Sequence, residues 1–276
     1  MADDEFESVR RTVIVAMFSD DVLYEKLVVK GGNALRLVHR IGPRVSLDVD
    51  FSTEGELDED DTALRMERSL QDRFEARRLR VFDFKFARRP AVVQDQRFAG
   101  YQAVFKLMPE DRAAILGRDL ARGRREALVV GHNQERTFTI DISSNEFCDG
   151  SEVMDFDLFR IRVYSPVMIA IEKYRALCQQ SDRYEARPRK AQRARDFLDI
   201  HSIVTSRTID LTSPESRELF HRIFEAKLVP LQLLADLPQH REFHRENWPS
   251  VIQSARANLL SFDEYFDFVV DQVKTL

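Results

Sequence analysis

The chain has only two cysteines in 276 residues. That is too few for a disulfide framework, and neither Cys148 nor Cys178 sits at a metal-ligand spacing. A reducing, cytoplasmic setting is the expectation. No apolar run approaches the length needed to cross a bilayer, so no membrane partner is expected. The first residues, Met-Ala-Asp-Asp-Glu-Phe-Glu, are acidic and lack the apolar centre of a signal peptide. Positive charge is not in excess: 42 Lys and Arg face 47 Asp and Glu, a net charge of −5. Any nucleic-acid contact must therefore come from a local patch. One Trp stands against 20 Phe, so the core is expected to lean on phenylalanine. What remains is an ordinary globular composition, 43% hydrophobic and 32% charged, long enough for one large domain or two modest ones.

Glycine is also scarce, with nine in the chain. The adjacent pair Gly31-Gly32 therefore marks a place that tolerates no side chain. Preceded by Leu27–Val29 and followed by Asn33–Val38, it reads as strand, tight turn and helix start. Asn33 suits an N-cap, and the exposed N–H groups of such a terminus attract phosphate. The helix is expected to run to Arg40 and stop at Gly42-Pro43. A strand over 45–51 follows, in which Leu47, Val49 and Phe51 share one face and Asp48 and Asp50 the other. Two carboxylates on one strand face repel each other unless a cation sits between them. A hard cation suits them: Mg²⁺ first, with Mn²⁺ as a substitute, completing its shell with substrate phosphates.

Elsewhere the pattern alternates between elements. Residues 5–25 read as a leading helix broken near Ser19-Asp20-Asp21. Residues 57–80 read as a helix, acidic at its start and basic at its end, with Leu64, Leu70 and Phe74 inward. Strands are expected over 79–87 and 101–108. The run Phe138-Thr139-Ile140-Asp141-Ile142 alternates cleanly, which makes Asp141 a candidate third carboxylate if this strand neighbours that of Asp48 and Asp50. From Ser165-Pro166 onward the pattern is helical, with best segments at 167–180, 191–205, 213–226, 228–237 and 262–273. One more helix is expected within 241–260. The organisation expected is an α/β (α+β) domain with a mixed sheet over 1–155 and an all-α helical domain over 156–276.

Lys173 lies among apolar residues on a helix that reads as buried, where an amine is costly unless it meets an anion. Asp196 and Asp199, three apart, share one helical face. Lys173 could reach a triphosphate while Asp196 orients it or acts as a base. The competing reading of the same residues is a structural salt bridge between helices. The arginines over 112–125 and 183–195 read as solvated faces, or as a grip on acceptor phosphates.

Gly-Gly, a helix and Asp-x-Asp together resemble the signature of the nucleotidyltransferase fold of polymerase-β-like enzymes. The fuller pattern is similar to the AbiEii branch, the toxin component of type IV toxin–antitoxin systems that includes MenT-type toxins. The segments that carry it are Lys30–Leu35, Arg44–Phe51, Lys173–Leu177 and Arg195–Ile200. The resemblance implies a nucleotidyltransferase-fold N-terminal lobe and a C-terminal helical lobe, with the active site in the cleft between them. By that likeness Gly32 and Ser46 contact phosphate and Asp48 and Asp50 hold the metal. Lys173 binds the nucleotide, and Asp196 is the catalytic carboxylate of the second lobe. The chain departs from the pattern at Ile41-Gly42-Pro43 and in an extra basic segment, Arg183–Lys190.

The expected chemistry is in-line attack on the α-phosphate of a nucleoside triphosphate, with pyrophosphate leaving against Gly31, Gly32 and Lys173. Asp141 would be a shared metal ligand. By family analogy the acceptor is a tRNA 3′ end, and a cognate antitoxin protein is the expected partner. The alternatives are transfer to a protein or small molecule, or a non-catalytic nucleotide- or partner-binding module.

Overall fold

The structure, a computed structural model, describes residues 2–42, 48–91, 95–117, 119–130, 134–255, 258–274 and 276. The chain divides into two compact units. The first comprises Met1–Asn33, Ser46–Cys148 and Glu152–Val163; the second comprises Ala34–Val45, Asp149–Ser151 and Tyr164–Leu276.

The first unit begins with helices α1 (Ala2–Met17) and α2 (Asp21–Lys26). Asp20 separates them: its carboxylate accepts from the Val22 and Leu23 N–H groups and caps α2. Strand β1 (Val28–Lys30) runs into a single helical turn, α3 (Gly31–Asn33), and then β2 (Val49–Ser52). Helix α4 (Glu59–Glu75) is capped by Asp58 and carries three acids in its first turn, as its macrodipole favours. Long strands β3 (Leu79–Arg88) and β4 (Gly100–Pro109) follow, then short helices α5 (Glu110–Leu116) and α6 (Leu120–Glu126). The unit closes with β5 (Phe138–Ser143) and the hairpin β6 (Glu152–Phe156) and β7 (Phe159–Val163).

Seven strands form one mixed sheet in the order β3-β4-β5-β2-β1-β7-β6. β2 pairs in parallel with β5 and β1 in parallel with β7; the other neighbours are antiparallel. One sheet face is apolar and packs on α1 and α4. There Phe18 meets Phe51 at 6.1 Å, Phe74 meets Phe105 at 5.9 Å, and Phe105 stacks on Phe138 at 5.4 Å. Strict alternation along β5, with Phe138, Ile140 and Ile142 buried, leaves the opposite face to polar side chains.

The second unit is helical. It contains a π-helical segment (Ala34–Val38), α7 (Pro166–Cys178), α8 (Ala194–Arg207) and α9 (Pro214–Glu225). A 3₁₀ stretch (Leu231–His240), α10 (Arg241–Arg245), α11 (Trp248–Ser254) and α12 (Phe262–Val273) complete it. Helix α7 is buried on nearly every side, and α12 packs on α8 through Phe197 and Phe266, whose rings stack at 5.0 Å.

The described elements depart from the sequence reading in several places. Leu64 is 68% exposed and Met66 takes the core position in α4, because the inward stripe falls on Met66, Leu70 and Phe74. In place of an α-helix over 33–40 stands α3 and then the wider π turn, with His39 N–H bonded to Ala34 O five residues back. Asn33 does not cap it: the buried side chain donates to the Asp48 carbonyl at 2.6 Å. The 228–237 segment forms the 3₁₀ stretch over Leu231–His240, and 241–260 holds two short helices. The β6–β7 hairpin was not foreseen.

Candidate active site

The site in the first unit is built across the polar face of the sheet. Lys30 is the register partner of Asp50, Asp50 of Asp141, and Asp141 of Gln102. Register partners on neighbouring strands put their side chains on the same face, so these four form one row over β1, β2, β5 and β4. The row has a cation at one end, two carboxylates in the middle and an amide at the other end. Gln102 Nε2 donates to Asp141 Oδ1 at 2.8 Å, which fixes one oxygen of that carboxylate. Lys30 is buried and lies 3.4 Å from the Glu146 carboxylate.

Gly31 follows Lys30 with φ +70, a backbone conformation that side chains disfavour. Its α-hydrogen faces the Asp50 carboxyl group so closely that a Cβ there would overlap it. Glycine at this position thus has a local cause, a tight turn that lets the backbone lie directly against an acidic side chain. Asp48 lies at the bend before β2 and is exposed. Burial, and then the negative charges of Asp141 and Glu135, raise its pKa above the usual carboxylate value, while Arg10 opposes them.

The donor chemistry suits a hard cation. Asp50 and Asp141 share one face of the sheet and Asp48 feels the charge of Asp141; carboxylate oxygens of this kind suit a divalent ion, which would relieve their repulsion. Among the described residues no group of three or more His, Cys, Asp or Glu is drawn together as a ready-made metal cage. Mg²⁺ needs none: it commonly binds through one or two carboxylates and takes its remaining ligands from water and phosphate. Ser46 lies outside the described residues. Gly32 belongs to the α3 turn beside Gly31.

In the second unit, Lys173 of α7 and Asp196 of α8 are brought together. Lys173 Nζ lies 3.0 Å from Asp196 Oδ1 and 2.7 Å from Asp199 Oδ2, with all three residues buried. The second oxygen of Asp196 accepts from Arg193 Nε. Burial alone would raise the Asp196 pKa, but the charges of Arg193 and Lys173 override it and hold the carboxyl well below its ordinary range. The Arg193 backbone N–H in turn donates to His244 Nδ1 at 3.1 Å. This is the interhelix salt bridge the sequence allowed, extended to a five-residue network.

The sequence reading missed Gln102 and gave Lys30 no role. Alternation along β4 was the available signal: Tyr101, Ala103 and Phe105 face the core, so Gln102 must share the face of Asp141. Of the arginines over 112–125, Arg112 and Arg122 pair with Glu126, and Arg124 pairs with Asp83. Their charge is largely spent within the protein.

By class the chain is a nucleotidyltransferase. The model of the family described as "Nucleotidyl transferase AbiEii toxin, Type IV TA system" matches residues 13–272, and the chain belongs to that family. Among solved structures it is similar to JHP933 from Helicobacter pylori, at 16% identity and TM-score 0.48 over 97% of this chain and 88% of that one. It is similar also to MenT4, a nucleotidyltransferase toxin from Mycobacterium tuberculosis, at 16% identity and TM-score 0.49 over 83% of this chain and 70% of that one. No curated protein matches it in sequence. Among the described residues no helix is long and apolar enough to cross a membrane.

Proposed function

We propose that this AbiEii-family protein uses Mg²⁺ to transfer a nucleotide from a nucleoside triphosphate to the 3′ end of a tRNA in the cytoplasm. It would act there as a toxin restrained by an antitoxin. The observation that carries the reading is the pairing of Asp50 with Asp141 in register on parallel strands, beside an Asp48 whose proton affinity neighbouring acids raise. Asp48 and Asp50 hold the metal and Asp141 shares it. Mg²⁺, where bound, supplies charge stabilisation at the α-phosphate.

The chain's own residues do the rest. Gly31 and Gly32 offer backbone to the departing phosphates, and Ser46 adds a hydroxyl. Lys173 binds the nucleotide. The acceptor hydroxyl forms a bond to the α-phosphorus and releases its proton to water as the bond to the bridging oxygen of the β-phosphate breaks, releasing pyrophosphate. Asp196 is assigned to orienting Lys173 rather than to accepting the hydroxyl proton, because a carboxylate held so far below its usual pKa is a weak base.

The test is transfer of labelled nucleotide to purified tRNA, with Mg²⁺ and with a chelator. Asp48→Ala and Asp50→Asn are expected to lose at least about a hundredfold in rate, since losing even a group that only orients a metal ligand costs about ten- to a hundredfold. Full transfer by Asp48→Ala would remove the proposal. Labelling of protein in place of RNA would redirect the acceptor assignment.

A further inference from the structure

On the first unit, away from the polar face of the sheet, lies a cleft of about 330 Å³ between α1, α4 and the β6–β7 turn. Its walls carry three arginines, Arg11, Arg73 and Arg77, with the hydroxyl-bearing Ser8 and Thr12 beside them. Two of these arginines rest on aromatic faces. The Arg11 guanidinium lies 4.4 Å from the centre of the Phe156 ring, and that of Arg73 lies 4.5 Å from the centre of Phe159. Arg77 is held by the Ser8 carbonyl at 2.8 Å and the Thr12 hydroxyl at 2.6 Å.

Their charge balance sets them apart. Arg112, Arg122, Arg124, Arg183 and Arg193 all face carboxylates. In the cleft, Arg11 pairs with Asp157, but among the described residues no carboxylate pairs with Arg73 or Arg77. A protein with a net charge of −5 thus places in one cleft two guanidinium groups that, among the described residues, pair with no carboxylate, one resting on a ring and the other held by hydrogen bonds. Pre-oriented guanidinium groups of this kind match phosphate oxygens in geometry and charge. The aromatic and hydrogen-bonded supports reduce the side-chain entropy lost on binding.

We infer that this arginine cleft is a docking site for the phosphate backbone of the acceptor RNA, apart from the carboxylate face. The inference rests on the proposal that the acceptor is RNA. The site takes phosphodiester groups without reading bases, so it adds affinity and register rather than sequence choice. Asp157 limits it by neutralising Arg11.

The experiment measures binding of labelled total tRNA to the full chain between about 50 and about 300 mM salt, a range over which phosphate contacts weaken steeply. R73A/R77A is expected to bind about tenfold more weakly at the low-salt end, with a log–log salt slope shallower by about 1.5. D157N, which frees Arg11 and removes a repelling acid, is expected to bind several-fold more tightly and guards against a folding defect in the double variant. If wild type binds and modifies tRNA while R73A/R77A and D157N match its affinity and slope, the docking site is wrong and the RNA-acceptor reading stands. If wild type shows no salt-dependent binding to RNA, both fall. Inorganic phosphate that binds the cleft with no effect of either variant on RNA would also overturn the inference, leaving a small-anion site.

Discussion

Gly31 and Asp50 are in contact through a face that only glycine can offer: a Cβ on Gly31 would occupy the space of the Asp50 carboxyl group. The two residues lie on either side of the β1–β2 ladder, so the turn and the acid position each other. Gly31→Ala meets two costs, the left-handed backbone at φ +70 and the overlap with Asp50. The first is about 1–2 kcal/mol. Denaturant unfolding is expected to show at least that loss, and nucleotide transfer to fall further than stability because Asp50 must turn away. A variant with wild-type stability and activity would show that the carboxyl group is not held against this turn.

Asp196 keeps two cations company in the core of the second unit. Asp196→Asn removes one of the two carboxylates that meet Lys173 and the carboxylate that meets Arg193. Breaking a buried pair on one side is expected to cost about 3 kcal/mol in denaturant unfolding. The sign with pH follows from the lowered pKa. The stabilisation is complete above the unfolded carboxylate value of 3.8 and is lost as pH falls below it toward the lower folded value. The variant should therefore lack part of the acid limb of a stability–pH curve measured below pH 4. A curve parallel to wild type there would deny the pairing.

His244 is fully buried, and burial, reinforced by His240 and Arg193, lowers its pKa from 6.5 to about 4, with Asp196 opposing. It is neutral in the fold and accepts from the Arg193 N–H through Nδ1. A depressed folded value means that stability is intact above pH 6.5 and is lost as pH falls from 6.5 toward 4, by up to roughly 3 kcal/mol. In His244→Leu that limb should disappear while the limb below pH 4 remains. Denaturant midpoints from pH 7 to 4 measure it, and an unchanged slope in the variant would assign the loss to other groups.

Much of this architecture was legible in the sequence because the periodic signals were strong. Alternation along 138–143 gave β5 and the facing of Asp141, and apolar spacing gave α7, α8, α9 and α12 to within a few residues. The β6–β7 hairpin was hidden for a physical reason. Its edge strand β6 leaves Glu152, Val153 and Asp155 exposed and shows no apolar alternation, while β7 does alternate through Phe159, Ile161 and Val163 but is only five residues long. Its turn is Asp157-Leu158, with both residues at positive φ and Leu158 fully exposed, in place of the Asn-Gly or Asp-Gly pair that announces such a turn. The π turn after α3 was equally silent, since the same residues suit a helix of either pitch. For the site, motif spacing identified the acids, but only register reveals that Lys30 and Gln102 stand in their row. Local sequence carries no record of which strand lies next to which. The arginine cleft was invisible for the same reason, as its three arginines come from α1, α4 and the turn that follows α4.

The parallel ladder between β2 and β5 has a consequence for synthesis. Asp50 and Asp141 are separated by about ninety residues of chain, a long-range contact that cannot form until β5 has left the ribosome. The helix bearing Asp196 is likewise supported by α12, which ends at Val273. A growing polypeptide therefore gains its acid pair only once β5 has emerged, and a buttressed Asp196 only once α12 has followed α8 out of the ribosome.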